Sequence, residues 1–482
     1  MSVGAWPVAE IRAAEEALMA TLPEGALMLR AAHGLAVRCG RMLPRRYGAR
    51  VVLLVGAGNN GGDALYAGAT LARGGAAVTA VLLTPDRAHP AGLAALRGAG
   101  GRAVETGAAA ARAVAAAEMV LDGVVGIGGS GELRQPAADL LAARDPEAIV
   151  VAVDVPSGVD SDTGAVAGAH VAADVTVTFG GHKPGLLLGA GAVAAGVVEL
   201  VDIGLRPYLP EPRLRVLTRD DVAAAIPRPG HLDDKYTRGV VGVAAGSSRY
   251  AGAALLATAA AAQSPAGMVR YAGPAAGLVQ SRLPEVIAST EAPDRVGRVQ
   301  AWVVGPGIGT DHAAEAALAA VLHSAVPVLV DADAITILAR RRDLLAGRAA
   351  ATVITPHDRE FARIAGNEPG ADRLGAARTA AADLGVTVLL KGDATIVAAP
   401  DGSAYVDAGS EPWLATAGSG DVLSGMIGGL LAAGVEPALA AAAGTHLHSA
   451  AGALAAERGV PTAVDVLAAV PRAYASVLGT GD

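Results

Sequence analysis

The sequence predicts an α/β chain of two halves, each a mostly parallel sheet with helices on both faces. Short Val-rich runs alternate with Ala-rich segments of helical length along the whole chain. Such alternation requires crossover connections and therefore parallel strands. One stretch dense in Pro and Arg, 205–230, interrupts it. The 482 residues are 52% hydrophobic and 17% charged, enough to bury large cores. Aromatics make up only 3%, so these cores are expected to be built from small and aliphatic side chains.

In the first half, strands are expected at 51–55, 78–83, 119–121, 149–153 and 174–178. Prolines at 207, 210, 212, 227 and 229 argue against one continuous helix across 205–230. This places a first domain at 1–210, a linker at 211–227 and a second, larger domain at 228–482. In the second half, a strand at 239–246 enters a loop, and others follow at 301–304, 326–330, 352–354, 386–390 and 395–398. The last is expected to pair with 403–406 across the turn "APDG".

Several function classes are disfavoured. A net charge of -8 gives no reason to expect nucleic acid or an anionic membrane as partner. Apolar stretches such as 426–444 are broken by Gly, Pro and Glu, so none reads as a membrane span. "MSVGAWPVAEIRAAEEALMA" lacks the basic-then-apolar order of a signal peptide. Cys39 is the single cysteine, which allows no internal disulfide and no Cys-rich zinc site. A reducing cytoplasm is the expected compartment, with Cys39 buried and inert.

"VVLLVGAGNNGGDALYAG" carries the first chemical signal. Gly56, Gly58 and Gly61 fit G-x-G-x-x-G between a strand and a helix. A dinucleotide fold also wants an acid about 20 residues on. The next strand ends at Thr84-Pro85-Asp86, and Asp86 lies 30 residues after Gly56. Asn59, Asn60 and Asp63 stand inside the loop, where a carboxylate would repel a pyrophosphate. The two amides suit orienting a ligand or holding a hard cation. The plainer alternative is that Asp63 only caps the helix. Two further strand ends carry Asp122, before a glycine-rich loop ending in Arg134, and Asp154 with Ser157. Three carboxylates at three strand ends exceed what capping requires. One suits acid/base chemistry, and the others a monovalent cation or ribose hydroxyls.

"NNGGDAL", "LDGVVGIG" and "VAVDVPSGVDSDTG", with the leading "ALMLRAAHGLAV", resemble the NAD(P)H-hydrate epimerase family. The resemblance implies a Rossmann-like three-layer domain that takes the damaged cofactor as substrate, together with K+. It implies that Asn59, Asn60, Gly61, Gly62 and Asp63, the loop residues Gly126, Ile127, Gly128, Gly129, Ser130 and Gly131, and Asp154 hold the hydrate. It assigns Asn60, Asp122 and Ser157 to K+, and Asp154 is favoured over Asp63 as the acid/base. The loop "GIGGSGELR" departs from the family's G-T-G-L, and Leu29 stands where a Glu is usual.

"TAGSGDVLSGMIGGLLAAG" is the strongest signal in the second half. Gly418, Gly420 and the apolar helix after them make a nest of backbone N–H groups suited to phosphate. Asp421, in that helix's first turn, could take a proton from an attacking hydroxyl. A glycine loop merely capped by Asp is the plainer alternative. Other strand ends offer Lys391 and Thr395, His357 and Glu360, Gly305, Gly307 and Gly309, and Asp331 and Asp333. No G-x-x-x-x-G-K-[ST] occurs, which excludes a P-loop.

These segments, with "HLDDKYTRGVVGVAAGSSRYAGAALLA", resemble the ADP-dependent NAD(P)H-hydrate dehydratase family, which has a ribokinase-like α/β fold. The resemblance implies phosphorylation of the hydrate's C6 hydroxyl by ADP, then loss of phosphate to give NAD(P)H and AMP, with Asp421 as base. Lys391, Gly392, Asp393, Ala394, Thr395 and Gly420 would contact the AMP portion, and Ala253, Gly307, His357 and Asp421 the hydrate. Departures are Arg359, Trp413 and Ala417, each at a position where the family has Gly. Mg2+ is expected because phosphates need their charge neutralised; no protein ligand is assigned to it.

The two resemblances cover about 8–205 and 228–475, in the order of a fused bifunctional repair enzyme. The expected substrates are NADHX and NADPHX, the hydrates of NADH and NADPH, with ADP. The competing readings are a ribokinase-like small-molecule kinase with an N-terminal nucleotide-binding domain, and a non-catalytic nicotinamide-nucleotide binder. The apolar helices permit a homo-oligomer. His446 and His448, two apart on a helix, face different ways and should not share an ion. His33, His89, His170 and His312 are isolated, while His182 and Lys183 follow a strand and remain site candidates. The "ARRRD" arginines read as a solvated helix end, and Trp6 and Trp302 as packing.

Overall fold

The computed structural model describes residues 2–129, 131–409 and 411–479; the expected site residue Ser130 lies outside them. The chain forms two compact units, Gly4–Arg213 and a second built of Leu214 onward together with the first few residues.

In the first unit the strand order is Arg102–Glu105, Ala77–Leu82, Arg50–Val55, Met119–Gly123, Ile149–Val153, Val175–Phe179 and Val197–Val201, all parallel. Alternate side chains of the central strand enter different cores. Val51, Leu53 and Val55 pack in one cluster, and Val52 and Leu54 in another. That is the signature of a sheet buried on both faces. The sheet order reverses between Arg50–Val55 and Met119–Gly123, and a crevice opens at the carboxyl ends of strands at such a switch point. All five expected strands are present. Arg102–Glu105 and Val197–Val201 are additional.

In the second unit the order runs Leu214–Val216, Ala404–Asp407, Thr395–Ala398, Thr387–Leu390, Thr352–Ile354, Val328–Val330, Ala301–Val304, Val240–Ala244, Met268–Ala272 and Ile287–Ser289. Thr395–Ala398 is antiparallel to both its neighbours, which makes the expected hairpin. Met268–Ala272 and Ile287–Ser289 are additional. The segment expected as a linker instead carries the strand Leu214–Val216 and the helix Arg219–Ala225. The strand pairs parallel with Ala404–Asp407, and Thr218 and Asp221 close a capping box at the helix start. The prolines at 212 and 227 stand just outside these two elements, which is how a proline-rich segment still forms them.

The helix Ser419–Ala432, which follows the glycine loop, is buried on nearly every side. It lies against the helix Ala251–Ala262 so closely that a Cβ at Gly425 would strike the carbonyl of Ala257, and one at Gly429 the hydroxyl of Ser264. Of the "ARRRD" arginines, Arg340 and Arg342 are exposed as expected, while Arg341 pairs with Glu315 and Asp343 and Arg342 also donates to the carbonyl of Ile364. Trp302 is buried, and the Trp6 indole N–H donates to Pro210 O at 2.8 Å. Cys39 is fully buried, and burial pushes its thiol up to about 12. Among the described residues no helix is long and apolar enough to cross a membrane.

Candidate active sites

The first site lies at the switch point of the first unit. Beyond Val55 the chain turns through Gly56–Gly58 into the helix Asn59–Arg73, which puts Asn59, Asn60 and Asp63 against a cleft of ≈ 950 Å³. Gly126, Ile127, Gly128 and Asp154 line the same cleft, and so do Arg12, Glu15, Tyr66 and His89. Gly61 and Gly62 are buried in the helix behind it. Gly129, Gly131 and Ser157 line an adjoining cleft. Asp63 is not a helix cap: that position is Gly58, and Asp63 lies inside the helix, buried.

Asp154 ends the strand Ile149–Val153 with a left-handed backbone, φ 69°. A non-glycine residue there is strained, and strain of this kind collects at functional sites. Its Oδ1 accepts from Lys183 Nζ at 2.5 Å, from Thr178 Oγ1 at 3.1 Å and from the amide of Phe179 at 3.3 Å. Lys183 is only 1% exposed and also donates to Thr178 Oγ1 and Phe179 O. Burial, then the nearby Asp154 and Glu15 charges, push the Asp63 carboxyl well above the usual range. Its buried Oδ1 has no hydrogen-bond partner among the described residues. Burial and then Asp154 also raise Glu15. Lys183 and Glu15 are thus functional candidates that sequence reasoning ranked low or missed. Burial takes the neighbouring His182 down to about 4.

Asp122 and Ser157 meet directly. Ser157 Oγ donates to Asp122 Oδ1 at 2.7 Å, and the Ser157 amide to Oδ2 at 2.8 Å. Burial takes Asp122 up to about 6 against these bonds. Asn60 stands across the same loop, its Oδ1 3.0 Å from where a Cβ on Gly126 would sit. Asn60 Nδ2 is buried with no partner. One carboxylate, one amide oxygen and one hydroxyl oxygen are the ligand types that suit a monovalent hard cation. Among the described residues no group of three or more His, Cys, Asp or Glu is placed to hold a metal.

The second site surrounds the start of the helix Ser419–Ala432. Gly418, φ 90°, turns the chain into it without a side-chain cap, so Asp421 is not a cap either. A cleft of ≈ 830 Å³ is lined by Lys391, Gly392, Asp393, Thr395, Ser419, Gly420 and His357. Ala394 is buried behind the lining. Gly307 adjoins Ala253, whose Cβ is 2.9 Å from where a Cβ on Gly307 would be, but neither lines this cleft. His357 caps the helix Asp358–Ala365 through Nδ1 in a reciprocal box with Glu360, leaving half its side chain exposed.

Asp331 is buried at the end of Val328–Val330 and accepts from Lys391 Nζ at 2.9 Å, Thr355 Oγ1 at 2.7 Å and Ser424 Oγ at 2.8 Å. Burial opposes its charge, but Lys391 and these bonds hold the carboxyl below the usual range. Lys391 likewise keeps its proton, burial being outweighed by Asp331 and Glu360. Its side chain stays 24% exposed, so the ammonium remains available to the cleft. Burial and then Asp331 take Asp421 up to about 7. His448 was set aside as a metal ligand. It is buried, held down to about 4 by burial, and its Nε2 lies 3.1 Å from Ser419 Oγ in the anion loop.

Each unit thus sets a cleft of nucleotide size at the carboxyl ends of parallel strands, beside a glycine-rich turn into a helix and a buried Lys–Asp pair. That combination defines a two-site α/β enzyme for phosphate-bearing ligands. Two families match: residues 24–185 match the YjeF-related protein N-terminus, and residues 241–472 match NAD(P)H-hydrate dehydratase. The chain is 55% identical over 442 residues to the bifunctional NAD(P)H-hydrate repair enzyme Nnr of Mycobacterium tuberculosis (strain ATCC 25618 / H37Rv), covering 91% of each. It is 53% identical over 456 residues to that of Mycobacterium leprae (strain TN), covering 94% of each. A ribokinase-like superfamily protein of Enterococcus faecalis V583 superposes with TM-score 0.51 at 26% identity, over 56% of this chain and 98% of that one. The chain belongs to the family of bifunctional NAD(P)H-hydrate repair enzymes, with an epimerase half followed by a dehydratase half.

Proposed function

We propose that Asp154 is the acid/base of the epimerase half and Asp421 the base of the dehydratase half. The observation that carries this is the contrast between neighbouring carboxylates. Asp154 is ion-paired with Lys183 while burial pushes the Asp63 carboxyl beside it well above the usual range. Asp331 is ion-paired with Lys391 while Asp421 is tuned to about 7. Carboxylates pushed apart in this way divide acid and base roles.

Carbon 6 of the hydrate carries a hydroxyl next to the ring nitrogen. Inverting it requires the hydroxyl proton to leave and return while a bond at that carbon opens. Asp154 takes and returns that proton through Oδ2, while Lys183, Thr178 and the Phe179 amide hold its Oδ1 in place. A potassium ion held by Asn60, Asp122 and Ser157 would supply fixed positive charge beside the bound hydrate. Asn59, Asp63 and the 126–131 loop orient the substrate.

In the dehydratase half Asp421 takes the proton of the C6 hydroxyl as its oxygen attacks the terminal phosphoryl of ADP, and AMP leaves. Loss of phosphate from C6 with a C5 proton then restores the ring double bond. Lys391 and the amides of Ser419 and Gly420 meet the transferring phosphate. Mg2+ would neutralise the nucleotide's charge. The Asp331 oxygens are already taken by Lys391, Thr355 and Ser424, so phosphate oxygens and water, not a carboxylate cage, suit it.

Mixed hydrate epimers incubated with the chain and ADP test both roles, read as recovery of reduced-nicotinamide absorbance. The intact chain should convert the whole mixture, Asp154→Asn only the S fraction, and Asp421→Asn none. Full conversion by Asp154→Asn, or a phosphorylated product that accumulates, would refute the assignment.

A further inference from the structure

The glycine-rich loop after Val125 lies between two clefts of the first unit that share Ala57, Val124, Val125, Gly126 and Gly128. The clefts differ in their charged lining. The ≈ 950 Å³ cleft is lined by Glu15, Glu24, Asp63 and Asp154 against the single cation Arg12. The adjoining cleft, ≈ 530 Å³, is lined by Arg87 and Arg134 against Glu132 alone. It sits beyond the carboxyl ends of Arg50–Val55 and Ala77–Leu82, since Gly56, Leu83 and Thr84 line it. Both guanidiniums are exposed, and neither has a carboxylate partner among the described residues.

A fold of this kind that reads an unmodified ribose places an acid at the end of the second strand, and an arginine nearby accommodates a 2′-phosphate instead. Here that strand is followed by Leu83 and Thr84, and the charged group in the cleft is Arg87 of the single turn Pro85–Arg87. Asp86 is exposed and does not line it. We infer that the adenosine half of the hydrate lies in this second cleft and that Arg87 and Arg134 bind its 2′-phosphate, so the epimerase half favours NADPHX over NADHX. The nicotinamide end lies in the first cleft, beside Asp63 and Asp154. The pyrophosphate crosses the shared rim at Ala57 and Gly126–Gly128. The inference rests on the epimerase reading of that cleft.

The test uses the full chain carrying Asp421→Asn, so that epimers equilibrate without being consumed. The approach to equilibrium from one epimer is followed by chromatography for each hydrate. With Arg87 and Arg134 intact, KM for NADPHX should be about tenfold below that for NADHX, the effect of one charge-assisted phosphate contact in partly exposed surroundings. Arg87→Ala/Arg134→Ala should raise KM for NADPHX about tenfold and leave kcat, the NADHX constants and the melting temperature unchanged. Arg87→Lys should restore only part of the affinity, because an ammonium lacks the bidentate fork. Equal KM for the two hydrates, or equal losses on both in the double variant, overturns the inference while epimerase activity stands. Failure to equilibrate either hydrate removes the epimerase reading and the inference with it.

Discussion

Replacing Lys183 by Met keeps the side chain's length and removes the charge that Asp154 is built around. Lys183 is 1% exposed and spends its ammonium on Asp154 Oδ1, Thr178 Oγ1 and Phe179 O. After the change Asp154 retains only Thr178 Oγ1 and the Phe179 amide as donors. Removing one member of a buried ion pair strands the other and costs about 3–5 kcal/mol. For a unit of this size, at roughly 2–4 °C per kcal/mol, the first unit's melting point should fall by roughly 6–20 °C. Calorimetry of the full chain is the assay, because two units need not melt together. The transition assigned to the second unit should stay in place, and ADP-dependent dehydration of the S hydrate with it. The double variant Asp154→Asn/Lys183→Met removes both charges and should recover most of the lost stability while epimerisation stays absent. A fall of less than about 2 °C, or a double variant less stable than the single one, would show that the pair is not what holds Asp154 in its strained position.

Asp421 must lose its proton to act as a base, so kcat/KM for dehydration should rise with pH through about 7. The same group lowers stability over that range: the folded chain keeps the proton up to about 7, while the unfolded chain releases it near about 4. At this group the native state therefore binds more protons across the window, which lowers the second unit's stability from pH 5 to pH 8. His448, held down to about 4, acts in the opposite sense below its unfolded value, so the Asp421 share is read by comparison with Asp421→Asn. From pH 5 to pH 8 the melting point of the intact chain should fall relative to that of Asp421→Asn; parallel pH profiles of the two would oppose the assignment. Asp122 titrates at about 6, and its protonation removes the carboxylate that potassium would meet, so the K+ concentration giving half-maximal epimerisation should rise as pH falls through about 6. Asp122→Asn should abolish K+ activation; K+ activation that persists in that variant would place the cation elsewhere. Gly425→Val would drive a side chain into the Ala257 carbonyl and should cost about 1–3 kcal/mol or more, lowering the second unit's melting transition and leaving epimerisation intact.

Central strands were legible because both their faces are buried, which writes them as unbroken Val and Leu. The missed strands lie at sheet edges or carry a charge. Arg102–Glu105 reads RAVE and Val197–Val201 reads VVELV, both half-exposed. Met268–Ala272 holds Arg270, whose guanidinium reaches Val296 O at 2.8 Å and so escapes the apolar pattern. Leu214–Val216 hid among prolines. In the sites, the loop-borne residues of the glycine turns were readable because anion nests and strand-end acids have local signatures. Lys183 was readable only as a candidate following a strand, and His448 not at all, because their meaning is tertiary. Lys183 acts on Asp154, 29 residues away at the end of the neighbouring strand, and His448 reaches Ser419 from another helix, also 29 residues away. Glu15 carried no signal at all, since an acid on an amphipathic helix is normally solvated. Only the cleft wall it joins makes it unusual.

The two units reach a common electrostatic arrangement from different topologies. Each ends a parallel strand in an aspartate neutralised by a lysine from a neighbouring segment, Asp154 with Lys183 and Asp331 with Lys391. Each places a non-glycine residue in the left-handed region there, Asp154 at φ 69° and Ala332 at φ 51°. Each sets beside the pair a second carboxylate whose proton is held by burial, Asp63 and Asp421. A fixed charge raises its neighbour's proton affinity without a mobile ion, and strained backbone keeps the two at the distance where this works. The two reactions ask different things of that second carboxylate. Inversion at C6 moves a proton off and back on with no net change, which suits a paired base facing a carboxyl that burial pushes well above its usual range, as at Asp63. Phosphoryl transfer needs one group that is free of its proton near neutral pH, which suits Asp421 at about 7.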